Sequence, residues 1–107
     1  MEFKYCVVLI TTPPEEAERI ANLIVEKKLG ACTNIVKEIS SIYWWQGKIE
    51  SDRESLLIIK TRTDLFKKLK EEVKKVHPYT VPEIIALPIV AGNEDYLRWI
   101  DESLESS

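Results

Sequence analysis

The sequence has few of the residues that most often carry enzymatic chemistry. It holds one histidine and two cysteines in 107 residues. Cys6 and Cys32 lie 26 positions apart without the CxxC spacing of zinc or redox sites. No GxSxG, GxGxxG, Walker A or HExxH pattern occurs along the chain. We therefore predict a protein that is not an enzyme.

Long apolar runs and an excess of basic residues are missing too. No 18 apolar residues follow one another, and the formal net charge is −3. We expect neither a membrane nor a nucleic-acid partner. The short apolar N-terminal stretch ends at Pro13-Pro14, as a strand does, and it lacks the cleavage site of a signal peptide. We therefore expect a cytoplasmic protein whose two thiols are reduced and lie in or near the core.

The first third of the chain reads as a strand followed by a helix. Residues 3–12 form an apolar, β-branched run, which is typical of a central strand covered on both faces. Pro13-Pro14 then opens a helix whose apolar residues recur every three or four positions from Ala17 to Val25. Gly30 is a suitable helix stop.

The middle third predicts a long β-hairpin. Its first strand runs over residues 33–45, its turn is Gln46-Gly47-Lys48, and its second strand is the apolar run 56–61. The polar residues 50–55 lie between the turn and that run.

The last third predicts a helix, a short strand and another helix. Thr63-Asp64 can cap the helix, and His77-Pro78 ends it because the residue before proline avoids helical geometry. Prolines flank residues 84–87, which indicates an edge strand. Asn93 can cap the final helix.

This element order predicts a single α+β domain over residues 1–107. Strand, helix, strand, strand, helix, strand is the ferredoxin-like pattern, here with an extra C-terminal helix. We expect an antiparallel sheet with both main helices on one face.

The hairpin is too long for the domain that carries it. Thirteen residues at about 3.3 Å each span roughly 43 Å, whereas a chain of this size has a radius of gyration of about 13 Å. Its tip carries Tyr43, Trp44 and Trp45, and neighbouring strand residues point to opposite faces. We predict that another copy of the chain covers these aromatic residues. The alternative is a hairpin that folds back over its own sheet.

Five ordered segments resemble the CutA family of divalent-cation tolerance proteins. They are VEKKLGACTNI (25–35), SIYWWQGKIE (41–50), LLIIKT (56–61), HPYTVPEI (77–84) and DYLRWI (95–100). The resemblance implies a non-enzymatic homotrimer, similar in architecture to the PII signalling proteins, in which one hairpin tryptophan faces its own sheet and the other a neighbouring subunit. It also implies a role in the response to divalent ions, with copper foremost.

His77 is the only histidine, so any imidazole ligand must be this residue. The plainer interpretation is a histidine at a helix C-terminus, where the helix dipole favours it. As a metal-binding pair, His77 and Glu83 would bind copper(II) or another divalent cation, with further ligands from neighbouring subunits. No obligatory cofactor is expected. Some relatives carry a cysteine near residues 10–12, where this chain has Ile-Thr-Thr, which argues against a thiolate copper site there.

A second hypothesis places a small anionic ligand in an intersubunit cleft. Tyr79, Lys60 and Arg62 would line this cleft, as a PII-like sensor requires. Core packing for the tyrosine and solvated strand-end charges for the two cations are the ordinary alternatives. A third hypothesis is a trimeric scaffold that presents its surface to another protein.

Overall fold

The computed structural model describes residues 2–105, which form a four-stranded antiparallel sheet and three α-helices. Single 3₁₀ turns, Pro14–Glu16 and Thr63–Leu65, lead into the first two helices. The elements are β1 (Tyr5–Thr12), α1 (Ala17–Glu26), β2 (Cys32–Trp45), β3 (Lys48–Arg62), α2 (Phe66–Val76), β4 (Ile84–Pro88) and α3 (Glu94–Leu104).

The strand order β2-β3-β1-β4 confirms the predicted ferredoxin-like α+β fold. β1 pairs with β3 on one side and with β4 on the other, so it is a central strand as its apolar run indicated. β4 pairs only with β1, which makes it the predicted edge strand. Pro88 is tolerated there because an edge strand needs fewer ladder donors.

The core lies between one sheet face and the helices α1 and α2. Alternate residues of the two central strands point into it, including Val8, Ile10 and Ile59, all fully buried. α1 contributes Ile20 and Ile24 from its apolar stripe, and α2 contributes Leu69 and Val73. The two main helices therefore share one face, as predicted.

α3, the extra C-terminal helix, lies on the opposite face of the sheet. The Tyr5 hydroxyl donates a hydrogen bond of 2.6 Å to the Asp101 carboxylate, and Lys4 donates another of 3.0 Å. Tyr5 points away from the core, because its neighbour Cys6 points into it. These contacts hold α3 across one end of the opposite sheet face, and the phenol hydrogen bond is the main cause that lowers the pKa of Asp101.

The second strand of the hairpin, β3, is longer than predicted. β3 begins at Lys48 and includes the polar residues 50–55, and Lys48 pairs with Trp45. The turn is therefore only Gln46-Gly47, with φ angles of 51° and 79°. Two consecutive left-handed residues form the tight turn that matches strand twist in hairpins. The longest extent of the molecule is 44 Å.

A β-bulge divides the hairpin into two parts. Val36 pairs with Leu56, but the next pair is Ile39 with Glu54, so β2 has one extra residue here. The Ser55 hydroxyl donates a hydrogen bond of 2.5 Å to the Lys37 carbonyl within the bulge. We call the part beyond the bulge, residues 39–54, the arm.

Candidate functional site

The arm exposes large apolar side chains that nothing in the described chain covers. Ile42, Trp44 and Ile49 are 74%, 72% and 64% exposed. Tyr43 and Trp45 point to the other side of the arm and are also exposed. The structure thus leaves both hairpin tryptophans outside the core of their own chain. An apolar surface of this kind is typical of a protein interface.

The sheet face opposite α1 and α2 is apolar and only partly covered. We call it the open face; its apolar members are Val7, Leu9, Val36, Leu56, Ile58, Ile85 and Leu87. Ile85 and Leu87 are each 47% exposed, and Val36 is exposed as well. α3 covers the end of this face near Tyr5, so a second apolar surface remains beside the base of the arm.

The open face continues onto an acidic stretch of the arm. Glu50, Asp52 and Glu54 alternate along β3 and therefore point to one side. The Tyr43 hydroxyl donates a hydrogen bond to Asp52 across the hairpin. This bond to an anion is the main cause that raises the pKa of Tyr43 to about 12. Tyr43 is therefore a neutral hydrogen-bond donor at physiological pH.

His77 is a buried residue immediately after α2, with 8% of its surface exposed. Its Nε2 lies 2.8 Å from the carbonyl oxygen of Thr11 in β1. Its Nδ1 accepts a hydrogen bond of 3.1 Å from the backbone N–H of Tyr79. A carbonyl oxygen can only accept and a backbone N–H can only donate, so Nε2 carries the proton and Nδ1 does not. Both ring nitrogens therefore have partners.

Tyr79 links His77 to the base of the arm. The two aromatic rings lie 4.8 Å apart, and the Tyr79 hydroxyl donates a hydrogen bond of 2.8 Å to the Glu54 carboxylate. Glu54 is only 7% exposed although it carries a carboxylate. Burial, followed by the bond to Glu54, raises the pKa of Tyr79. We call Thr11, His77, Tyr79 and Glu54 the His77 cluster.

The predicted metal ligands His77 and Glu83 do not form a metal centre in one chain. Glu83 is exposed, and no hydrogen bond or ion pair joins it to His77 in the described structure. Among residues 2–105, no three or more His, Cys, Asp or Glu side chains converge as metal ligands would. Because both nitrogens of His77 are engaged, His77 and Glu83 of a single chain do not fit a bound cation.

The predicted cleft residues are separated within one chain. Lys60 and Arg62 pair with Val7 and Tyr5 at one end of the central strands, whereas His77 contacts Thr11 at the other end. Thr11 lies six positions after Tyr5 along β1, which corresponds to about 20 Å.

Lys60 and Arg62 also have partners of their own. Lys60 donates a hydrogen bond to the side-chain oxygen of Asn34. Arg62 donates one of 3.1 Å to Asp64, and its guanidinium lies 3.8 Å from Asp101. Tyr79 can therefore contact the same ligand as Lys60 and Arg62 only if Tyr79 comes from one subunit and the two cations come from another.

The two cysteines differ in environment. Cys6 is fully buried, and its burial raises the pKa of its thiol, as expected for a core cysteine. Cys32 is only partly buried and lies opposite Lys60 at the start of β2, so the expected burial against the sheet is incomplete.

Sequence reasoning did not identify Glu54 or Thr11 as members of the His77 cluster. Glu54 belongs to a polar segment that resembles a solvated loop, and Thr11 contributes only its backbone carbonyl. One signal was present: Glu54 is two residues from the apolar run 56–61, so it shares the strand face of Leu56.

The family model and two relatives that match this chain all carry the name CutA. The family model described as "CutA1 divalent ion tolerance protein" matches residues 6–103. The chain is 58% identical over 98 residues to "Divalent-cation tolerance protein CutA" of Thermus thermophilus, covering 91% of this chain and 95% of that protein. It is 53% identical over 102 residues to "Protein CutA 1, chloroplastic" of Oryza sativa, covering 94% of this chain but only 58% of that protein.

Solved structures resemble the fold closely. The chain superposes on the "Periplasmic divalent cation tolerance protein CutA" of Archaeoglobus fulgidus with a TM-score of 0.91 at 49% identity, covering 94% of this chain and 99% of the other. For CutA1 of Oryza sativa the TM-score is 0.92 at 50% identity, covering 98% and 97%. No helix of residues 2–105 has the length and hydropathy needed to cross a bilayer.

Proposed function

Since the chain belongs to the CutA1 family of divalent ion tolerance proteins, we propose that it acts as a homotrimer in the response of the cell to divalent metal ions, without catalysing a reaction. The family name describes tolerance to ions rather than an enzymatic activity. The structural support for self-association is the apolar surface of the arm and the open face.

Two apolar surfaces suit other copies of the chain. The arm presents Ile42, Trp44 and Ile49 on one side of the sheet, and the open face presents Ile85 and Leu87 on the other side. Within residues 2–105, the outer strands β2 and β4 each have one edge without a neighbouring strand. Exposed edges and apolar patches promote aggregation unless they are covered, and a closed symmetric oligomer covers them without leaving open ends. The number three is the expectation that the resemblance to the CutA family implies.

Light scattering coupled to size exclusion tests this assembly. We expect three times the chain mass of 12.4 kDa for the wild type. The double variant Ile42→Ser, Trp44→Ser should dissociate, because aromatic residues at interface centres contribute most of the binding energy. Lys68→Ser, on the exposed surface of α2, serves as the control and should remain trimeric. A monomeric wild type would remove the proposal.

Copper(II) is the proposed cation, with His77 and Glu83 as ligands that neighbouring subunits complete. The motivation is the sole imidazole beside a loop that ends at the exposed carboxylate of Glu83. The hydrogen bonds at both ring nitrogens of His77 argue against this site, so the copper titration must include a variant of each proposed ligand. Calorimetry on untagged protein should show saturable binding that His77→Ala and Glu83→Gln abolish, whereas Glu94→Gln, at another exposed carboxylate, leaves it intact. Binding that persists in His77→Ala would place the cation elsewhere.

A small anionic ligand between subunits is the second candidate. It is supported by Lys60 and Arg62, two cations near the covered end of the open face. A thermal-shift screen with nucleotides and small carboxylates tests it, since a ligand that binds the folded state raises the melting temperature, and the rise increases with ligand concentration. A trimer that binds neither ligands nor copper would instead favour a scaffold.

We also propose a cytoplasmic location, although relatives differ in theirs. The Oryza sativa protein is named chloroplastic and the Archaeoglobus fulgidus protein periplasmic. Cell fractionation followed by detection of the native protein decides between these compartments.

A further inference from the structure

We propose that the hydrogen bonds made by His77, Tyr79 and Glu54, which we call the clasp, hold the segment after α2 against β1 and β3. While these bonds are formed and the clasp is closed, neither ring nitrogen of His77 is available to a cation. The fastening stands on the geometry of the chain alone. Its effect on cation binding rests on the proposed function, and it concerns how that site would be regulated.

The imidazole of His77 completes the hydrogen bonding of β1 at the end of its ladder with β4. The Tyr5 carbonyl accepts from Ile89 N–H at 3.0 Å, so the odd-numbered carbonyls of β1, including that of Thr11, point toward β4. Continuing the register would place Glu83 opposite Thr11, but β4 begins only at Ile84. His77 supplies the donor at that position instead, through Nε2–H.

The other ring nitrogen is used within the segment itself. Nδ1 of His77 accepts the backbone N–H of Tyr79, two residues further along the chain. A histidine coordinates a cation through a ring-nitrogen lone pair, and the only lone pair of this neutral ring points at that N–H. A cation therefore gains His77 only if Tyr79 or Thr11 gives up its hydrogen bond.

Tyr79 cannot move freely, because its side chain is fastened to the hairpin. Its hydroxyl donates to the buried Glu54 carboxylate, and Glu54 pairs with Ile39 at the bulge. A hydrogen bond to a buried ionised group is among the stronger ones in proteins. Displacing the backbone of Tyr79 strains this bond, so release of His77 is linked to the base of the arm. Loading of the candidate site and the position of the arm thus influence each other.

Nitrogen-15 NMR of the histidine side chain tests the fastening without any metal. His77 is the only histidine, so a native-sequence sample gives a single imidazole spin system. We expect the neutral ring protonated at Nε2, with an Nε2–H proton protected from exchange. A ring protonated at Nδ1, or an equal mixture of tautomers, would overturn the clasp.

Copper(II) titration of Tyr79→Phe tests whether the closed clasp keeps the cation from His77. This variant keeps the aromatic ring and removes only the hydroxyl that bonds to Glu54. If the closed clasp opposes binding, the variant should bind copper(II) on the order of tenfold more tightly than the wild type, which is the equilibrium equivalent of one lost charge-assisted hydrogen bond. Tyr5→Phe removes the same kind of bond, to Asp101 at the far end of the sheet, and should leave the affinity unchanged.

Glu54→Gln provides a second variant if Tyr79→Phe folds poorly, because it keeps the volume and weakens the same bond. Equal copper affinity in wild type, Tyr79→Phe and Glu54→Gln, with binding lost in His77→Ala, would overturn the proposal that the closed clasp keeps the cation from His77. Absence of copper binding in all of them would instead refute the proposed copper site, and the tautomer measurement alone would then decide the clasp.

Discussion

The two halves of one hairpin have opposite environments. Below the bulge, Leu57 and Ile59 of β3 are fully buried beneath α1 and α2. Beyond it, the same strands form the arm, where Ile42 and Trp44 are more than two thirds exposed. The strand conformation continues across both parts, so backbone structure alone does not produce the difference. One chain supplies the cover for the lower half, and we propose that other chains supply it for the arm.

The largest contrast should come from two isoleucines in these halves. Ile59→Ala should lower the free energy of unfolding by about 2–5 kcal/mol, because it leaves a cavity in the core. Ile42→Ala should act only through self-association, so its effect should vanish on dilution below the dissociation constant of the oligomer. Denaturant unfolding at several protein concentrations measures both. An effect of Ile42→Ala that does not depend on concentration would contradict the comparison.

The two glycines Gly30 and Gly47 offer a smaller contrast with opposite causes. A Cβ at Gly30 would lie 2.5 Å from Ile59 Cγ2 and 2.8 Å from Ile24 Cγ2, so Gly30→Ala should cost about 1–3 kcal/mol by overpacking. A Cβ at Gly47 meets nothing within 4 Å, but φ is +79°, so Gly47→Ala should cost about 1 kcal/mol through its backbone.

Asparagine separates these two causes. It tolerates left-handed φ but is larger than alanine, so Gly47→Asn should cost less than Gly47→Ala, whereas Gly30→Asn should cost more than Gly30→Ala. Thermal unfolding of the four variants measures the order. The same order at both positions would show that one cause acts at both glycines.

A change at the turn should stabilise the arm slightly. Gln46 has a φ of 51°, which is unfavourable for glutamine, and Asn-Gly is the preferred pair in this type of turn. Gln46→Asn should therefore raise the free energy of unfolding by roughly 0.5 kcal/mol, a fraction of the left-handed penalty. Chemical denaturation detects it, with Gln46→Ala as the comparison. A loss of stability in Gln46→Asn would contradict the turn geometry.

The smallest expected effect concerns an ion pair between the two main helices. Glu72 of α2 accepts hydrogen bonds from Lys27 at 2.8 Å and from Lys75 at 2.7 Å, and these lysines lower the pKa of Glu72 to about 2. A carboxylate whose pKa is lowered in the folded state stabilises the protein at pH values above the usual carboxyl pKa of 4.5. This contribution is lost as the pH falls toward the folded-state pKa of about 2.

Melting temperatures between pH 5 and pH 2 check this contribution. The wild type should lose more stability than Glu72→Gln over that interval, while Glu71→Gln, at an exposed neighbouring carboxylate, should follow the wild type. Because surface ion pairs contribute little, the difference should be small. Parallel curves for wild type and Glu72→Gln would show that the pair does not join the helices.

Local patterns predicted the elements of the fold, and long-range register accounts for what they missed. The helical stripes, the prolines beside β4 and the cap at Asn93 are readable within a few residues, and Asn93 indeed accepts from the Asp95 N–H at 3.0 Å. Residues 50–55 lack an apolar face because the arm has no core of its own chain, so their strand was missed. The stripe of α3 could not indicate which sheet face the helix would cover.

The candidate site was less accessible from the sequence. His77 was singled out because it is the only histidine, but its orientation depends on Thr11, 66 residues earlier in the chain. Glu54 lies 25 residues before Tyr79, on a strand whose extent was underestimated. No spacing rule connects such residues, because the sheet brings them together only when β1 and β3 pair.

The strand order also has a consequence for the newly synthesised chain. β1 is made first but lies at the centre of the sheet, where Val7 must wait for Leu87 of β4. The hairpin, in contrast, joins neighbouring segments and can form while the rest is still being translated. We therefore expect the hairpin to pair before β4 closes the centre of the sheet, and the apolar strands are prone to aggregation during that interval.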